Sequence, residues 1–425
     1  MSKPSSRFVF VTFTCLIPCL FVAAKGQEIQ VEASGVVTVD GRSISLRPPK
    51  FGSGSAQRSW LDGEGGVLML DDLLPQPTRS EQATIKIDLP SGWQIFSTSE
   101  VNSGRFNFVD AEKGVIFVGR TWRKHDLRVR DASLNLLFSG QWQFTDDDAR
   151  GIARETFEHY QKLFGSAPGK NFQIGIAKFP IDVPSGNWEA DTRGSSITIL
   201  SSDMPFKTQS LQRLHEQLRH EMFHLWIPNG VNLTGNYDWF YEGFALYQSL
   251  KMGVAVNRLR FEDYLDTLSR AYDIDRSSGG KLSLIDASKN RWNGNNNTQV
   301  YARGMLVAFL CDLALLDASG GKRSTDDLLR EIYSRYRPPS RETDGNEAVL
   351  ATLRASKELV PIIDAYITGT NSIKWAESLK VAGIEPATDN GPTSLKVAAK
   401  PTGRQKNLLD KLGYNSWRKL SNSNK

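Results

Sequence analysis

His220-Glu221-Met222-Phe223-His224 is the stretch of this chain whose residue types and spacing are suited to chemistry. Two imidazoles four residues apart leave the same side of a helix, so both can turn to one ion while Glu221 reaches a water bound to it. Zinc suits two neutral imidazoles, one carboxylate and an open position for water. The alternative is a helix that happens to carry two histidines. With five histidines in the chain, a chance match to both histidines and the glutamate is on the order of one in a few hundred. Glu242 supplies a third ligand after seventeen intervening residues, within Trp239-Phe240-Tyr241-Glu242-Gly243-Phe244-Ala245-Leu246-Tyr247. A glutamate on an amphipathic helix is ordinarily a solvated charge. Among aromatic and small residues, on the helix after the two histidines, it reads as a ligand. The set His220, His224 and Glu242 predicts one zinc per chain, with Glu221 as general base.

To bring these groups together the chain must reverse direction between two helices. The apolar pattern predicts helices over residues 210–227 and 238–252, and Pro228-Asn229-Gly230 breaks the chain between them. Strands are expected ahead of them at 172–178 and 196–200. A further helix at 149–163 is announced by Thr145 and the acids Asp146 to Asp148, and ended by Gly165. From Gln27 to Phe144 short runs of strand character alternate with turn signals, which predicts an antiparallel β domain over 28–144. The second domain is expected over 145–260, and a helical part over 261–390 completes it. Residues 290–297, rich in Asn, read as an exposed loop, and residues 391–425 as a loosely ordered tail.

Composition bounds the rest. The chain has 425 residues, 40% hydrophobic and 23% charged, close to ordinary folded proteins. Its net charge of +5, from 52 basic and 47 acidic residues, is small and dispersed, so nucleic acid is not an expected partner. Residues 1–27 carry Lys3 and Arg7 before an apolar run, then Val22, Ala23 and Ala24, the pattern of a secretory signal; an uncleaved anchor is the other reading. A secreted or periplasmic location is expected, without stable membrane insertion after cleavage. Cys15 and Cys19 leave with the signal, so Cys311 remains as a buried core thiol with no disulfide partner.

These residues resemble the gluzincin zinc metallopeptidases of the aminopeptidase N superfamily, and among them the glycyl aminopeptidase-like group. The resemblance covers roughly residues 30–385 and is carried by the residues from His220 to Trp226, by Tyr241 to Tyr247, and by Tyr301-Ala302-Arg303-Gly304-Met305-Leu306-Val307-Ala308. Ala365-Tyr366-Ile367-Thr368-Gly369-Thr370, the run from Lys374 to Leu379, and Ala382-Gly383-Ile384 add to it. It implies an α+β protein: an amino-terminal β-sandwich, a thermolysin-like zincin catalytic domain and a helical carboxy-terminal part. It also implies that Tyr301 lies beside the metal, where its phenol can donate to a developing oxyanion. Gly186-Asn187-Trp188-Glu189 matches the superfamily's amine-binding motif in part, with Trp188 and Ala190 departing from it, and suggests that Glu189 binds a substrate's free α-amino group. A loop glutamate without such a role is the other reading. The His224 to Glu242 spacing is one residue shorter than in aminopeptidase N, and the chain lacks the PDZ domain of many glycyl aminopeptidase-like proteins.

The expected reaction is zinc-dependent hydrolysis of peptide bonds, as an aminopeptidase, with peptides or proteins as substrates. Zinc lowers the pKa of its bound water towards about 7, Glu221 takes the proton and later passes it to the leaving amine. An endopeptidase or another hydrolase on the same scaffold remains open, as does a secreted protein that keeps an inactive zinc site.

Overall fold

A computed structural model of the chain describes residues 26–75, 82–180, 183–278, 282–387 and 392–414. Residues 1–25 of the expected leader lie outside the described residues.

Alternation of apolar and polar residues builds the front of the molecule. In β1 (Gln27–Val31), Ile29 and Val31 are buried while Glu28 and Gln30 are exposed, the period of a half-buried strand. With β2 (Val36–Val39), β3 (Arg42–Ser45), β6 (Ala83–Asp88), β8 (Glu100–Asn102) and β9 (Arg105–Phe108) it forms a sheet in the order β3-β2-β1-β6-β9-β8. A second sheet contains β4 (Trp60–Leu61), β5 (Gly65–Met69), β10 (Val115–Gly119) and β7 (Gln94–Phe96) in that order, with a single helical turn, α1 (Leu70–Leu73), after β5. Pairing is antiparallel throughout except that β1 runs parallel to β6. That exception to the expected antiparallel domain arises because β2 to β5 and α1 separate the two strands in sequence, so no tight turn sets their relative sense.

Strands β5 and β10 are buried along their whole length. Leu68, Ile116 and Val118 close the sandwich against Ile29, Val37 and Ile85. On the opposite face, Val67, Val115 and Phe117 pack on Leu137, Ala177 and Leu200 of a third sheet. That sheet orders β11 (Arg123–Val129), β12 (Ala132–Phe138), β13 (Asn171–Lys178), β15 (Ser196–Ser201) and β14 (Trp188–Arg193), the last being its edge. The expected boundary at residue 144 falls inside this unit, because β12 pairs in parallel with β13. The change of pattern at Thr145 marks the crossover helix of a parallel strand pair, which requires a long connection. This helix, α2 (Asp146–Phe164), opens on a capping box between Thr145 and Asp148 and ends at Gly165, whose φ of 87° suits glycine.

The other face of the third sheet carries α2 and α3 (Lys207–His224), whose aromatic residues interlock. Phe157, Tyr160 and Phe164 of α2 meet Phe223 of α3 and Trp226 just beyond it in tilted, edge-on and stacked pairs with centroids 5.1 to 6.5 Å apart. Such pairs each add about 0.5–1.5 kcal/mol beyond burial. After a turn that includes β16 (Leu233–Thr234), paired with β17 (Thr343–Asp344), the chain returns as α4 (Asp238–Ala255). Next come α5 (Phe261–Ser277), α6 (Leu284–Lys289), α7 (Asn296–Ser319), α8 (Thr325–Tyr336) and α9 (Gly345–Arg354).

Helix α7 is long and apolar enough to cross a membrane by length and composition, yet 89% of that stretch is buried inside the fold. It is the central helix of the carboxy-terminal part and holds the buried free Cys311. Where α4 crosses α7, Gly243 and Gly304 meet backbone to backbone, and a methyl group on either would overlap the other helix. That close approach brings Glu242 and Tyr301 to one place.

Within the expected tail, residues 392–414 carry regular structure. Ile384–Ala387 pairs antiparallel with Ser394–Val397, and the helix Gly403–Lys411 buries Leu408 and Leu409 in the main core. Its lysine- and asparagine-rich composition concealed this short apolar stripe. Residues 415–425 lie outside the described residues.

Candidate metal centre and active site

The carboxy-terminal half of α3 is buried from Leu218 to His224, although four of these residues, Arg219, His220, Glu221 and His224, are polar or ionisable. Burial of such groups is tolerated when they find partners. His224 Nδ1 lies 3.1 Å from the carbonyl of Ile227; as the donor, it leaves Nε2 as a bare lone pair. That nitrogen lies 3.2 Å from His220 Nε2 and 3.5 Å from Glu242 Oε2, and His220 Nε2 lies 3.4 Å from the same oxygen. One potential ligand atom from each of the three residues thus converges on one point. Glu242 Oε2 is buried with no hydrogen-bond partner among the described residues. Lone pairs at this separation repel unless a cation sits among them, and tetrahedral ligands at about 2.0–2.1 Å from zinc stand about 3.3–3.4 Å apart. The cluster is compatible with zinc. Burial raises the Glu242 carboxyl, but the two imidazoles more than offset it and hold the group well below the usual carboxylate range. Glu242 is therefore an anion, as a ligand must be.

Glu221 lies beside this triangle and outside it, with Oε1 4.0 Å from His220 Nε2. Thr192 fixes it: its hydroxyl is 2.7 Å from Oε2 and 3.0 Å from the Glu221 carbonyl. Asn229 ties the same strand to the end of α3, accepting from the Gly194 N–H at 2.7 Å and donating to the carbonyls of Thr192 and His224 at 3.0 Å. Neither Thr192 nor Asn229 stood out in the sequence. Asn229 was visible there only as part of a helix break.

Tyr301 lies in the second turn of α7 and shares a small cavity of about 190 Å³ with His220, Glu221, His224, Tyr241 and Glu242. Its phenol accepts a hydrogen bond from Arg291 Nη2 at 2.8 Å, and the Glu242 carboxylate beside it accepts from the phenol. Burial, then the Glu242 charge, raises it well above an ordinary tyrosine, which keeps it protonated. Arg291 also donates to Glu242 Oε1 at 3.2 Å and pairs with Asp238. Its side chain is only 11% exposed, whereas the sequence reading expects residues 290–297 to be an exposed loop. The Asn-rich neighbours masked one residue turned inward.

Glu189 is not in a loop ahead of the edge strand but within it, on β14. Its carboxylate accepts the backbone N–H of Gly52 at 2.5 Å and of Ala56 at 3.4 Å. It also lines a cavity of about 870 Å³ that reaches His220, Glu221 and Tyr301. The six residues singled out in the sequence line two cavities that share His220, Glu221 and Tyr301.

No protein-family model matches the sequence, and no curated protein sequence matches it. Solved structures do. An aminopeptidase N family protein from Idiomarina loihiensis superimposes with a TM-score of 0.70 at 14% identity, over 89% of this chain and 82% of that one. An M1 zinc metallopeptidase from Deinococcus radiodurans gives 0.52 at 15% identity, over 78% and 75%. A mutant of that enzyme, described as bound to a Tyr-Ser-Ala substrate, gives 0.52 at 14%, over 78% and 76%. With sandwich in front, zincin-like sheet and helices behind it, and a helical carboxy-terminal part, the chain has the α+β fold of the M1 aminopeptidases.

Proposed function

We propose that this protein is a zinc-dependent peptidase acting as an aminopeptidase, and the observation that carries this is the triangle of His220, His224 and Glu242 with Glu221 beside it. Three ligands and a general base suit a catalytic zinc, whereas structural sites are closed by four cysteine or histidine ligands. A bound zinc supplies an acidified water and a Lewis-acid contact for a carbonyl. Glu221, held by Thr192, takes the proton of the attacking water and returns it to the leaving amine. Two of the named neighbours are M1 zinc metallopeptidases, one of them bound to a Tyr-Ser-Ala substrate, and the third is an aminopeptidase N family protein. Kinship with the glycyl aminopeptidase-like group is supported by the sequence runs at 301–308 and 365–384. Export is part of the same proposal, from the leader at residues 1–27.

Tyr301 acts on the transition state in this scheme, because its phenol lines the same small cavity as Glu221, Glu242 and the two histidines. Tyr301→Phe should lower kcat about 100-fold or more with little change in KM, by the measure of removing one oxyanion donor. Steady-state kinetics on one peptide checks this, and an unchanged kcat would leave Tyr301 a packing residue.

An aminopeptidase must hold a positive chain end, and Glu189 is the carboxylate for it. Two backbone N–H groups occupy it, and a carboxylate offers about four acceptor sites. Cleavage of free-amine and amino-acetylated forms of the same peptides, with and without chelator, tests the function: free amines should be cleaved and chelator should stop it. Equal rates on both forms would point to an endopeptidase. Glu189→Gln should lower kcat/KM on free-amine peptides about 10- to 150-fold. Because Gln accepts less well from Gly52 and Ala56, unfolding should also become easier by about 0.5–1.5 kcal/mol, read by denaturant titration.

A further inference from the structure

We propose that the 870 Å³ cavity beside the metal centre is built to receive a carboxylate of the substrate, and that Arg219 receives it. The word substrate depends on the peptidase reading above; the anion site does not. The cavity starts at His220 and Glu221 and follows α3 backwards past Arg219 and Glu216 to Gln212, and Gln212, Glu216, Arg219 and His220 share one stripe of the helix.

Arg219 is 4% exposed. Its Nε and Nη1 are buried with no hydrogen-bond partner among the described residues. A guanidinium in that state is costly unless an anion completes it. Its seat is shaped for it, since a methyl group at Gly253 on α4 would collide with Nη1. A glycine inside a helix lowers helix propensity, so the space for Arg219 comes at the expense of α4.

The acids around the cavity are already engaged. Glu216 pairs with Arg213 at 2.7 Å, Asp263 with Arg260 at 2.6 Å, and Glu155, behind the wall, with Arg258 at 3.0 Å. Glu189 accepts from Gly52, and Glu221 from Thr192. Arg270, exposed and also lining the cavity, makes a 3.3 Å hydrogen bond to Thr267 and no ion pair among the described residues. Arg219 and Arg270 thus line the cavity without an ion-pair partner among the described residues, the charges of Glu216 and Glu155 reaching Arg219 only at longer range. A carboxylate matches the planar fork of arginine with two parallel hydrogen bonds. In a peptide it comes either from the carboxy-terminus or from an Asp or Glu side chain.

Two matched peptide pairs separate these sources: free acid against carboxy-terminal amide, and Asp or Glu against Asn or Gln within an amidated peptide. In the zinc-loaded parent, one pair should favour the acid about 10- to 100-fold in kcat/KM. Arg219→Gln should reduce that ratio to about threefold or less, and Arg219→Lys should restore part of it. A ratio between two peptides does not move with the fraction of folded enzyme. Calorimetric binding of the same pairs to the Glu221→Gln variant reads the site without turnover, and the acid should bind at least about tenfold tighter. No acid preference in the parent in either pair, or a preference that survives Arg219→Gln, overturns the proposal. If nothing is cleaved but the acid still binds tighter to Glu221→Gln and not to the double variant with Arg219→Gln, the peptidase reading fails and the anion site stands.

Discussion

Glu221→Gln should lower peptide cleavage about 100- to 10,000-fold, the usual worth of a positioned general base, while the chain keeps about one zinc. The separation of the two readouts follows from the geometry. Glu221 lies outside the triangle of His220, His224 and Glu242, so no ligand is lost. Glutamine has nearly the same volume in a site where Glu221 is 4% exposed, and its carbonyl can still accept from the Thr192 hydroxyl that now sits at 2.7 Å. What disappears is the ability to take and return a proton. Zinc content by elemental analysis and kcat/KM on one free-amine peptide, measured on the same preparation, decide it. Activity within tenfold of the parent would remove Glu221 from its role, and loss of zinc would mean that it belongs to the ligand set.

The parts legible in the sequence are those where one residue type answers a local rule. His220 and His224 announced themselves by a helical repeat, and Thr145 and Gly165 bounded α2 through the chemistry of helix ends. Glu242 was legible because a carboxylate among aromatic residues needs a partner. Illegible residues act through contacts distant in sequence. Arg291 reaches Glu242 from 49 positions away, and Thr192 reaches Glu221 from 29. Nothing in an Asn-rich segment or a Thr on a strand marks such a reach. The boundary expected at residue 144 rests on the same kind of signal: β11 and β12 look like the strands before them, and the pairing of β12 with β13, with β11 on its other side, joins them to the strands that follow. Gly243 and Gly304 were quoted within motifs, but their purpose, a backbone contact between α4 and α7, appears only once the helices cross.

Glu242→Ala should weaken zinc binding at least about 100-fold, at or beyond the upper end of the 10- to 100-fold loss seen when a group that merely orients a ligand is removed. The carboxylate is the anion of the donor set. Without it a divalent ion would face two neutral imidazoles and the nearby Arg291 guanidinium, which now donates to Glu242 Oε1 at 3.2 Å. Arg291 keeps its pairing with Asp238, so the variant should still fold in the absence of metal. Its effect belongs in the metal-linked part of stability. At free zinc about 1,000 times the parent's dissociation constant, binding adds about 4.1 kcal/mol to the folded state. A 100-fold loss of affinity would leave about 1.4 kcal/mol of that. Thermal unfolding with zinc and with chelator reads this difference without reference to activity. The parent should lose most of its zinc-dependent stabilisation on chelation, and Glu242→Ala should have little left to lose. A variant whose unfolding responds to chelator as strongly as the parent's would show that the third ligand lies elsewhere.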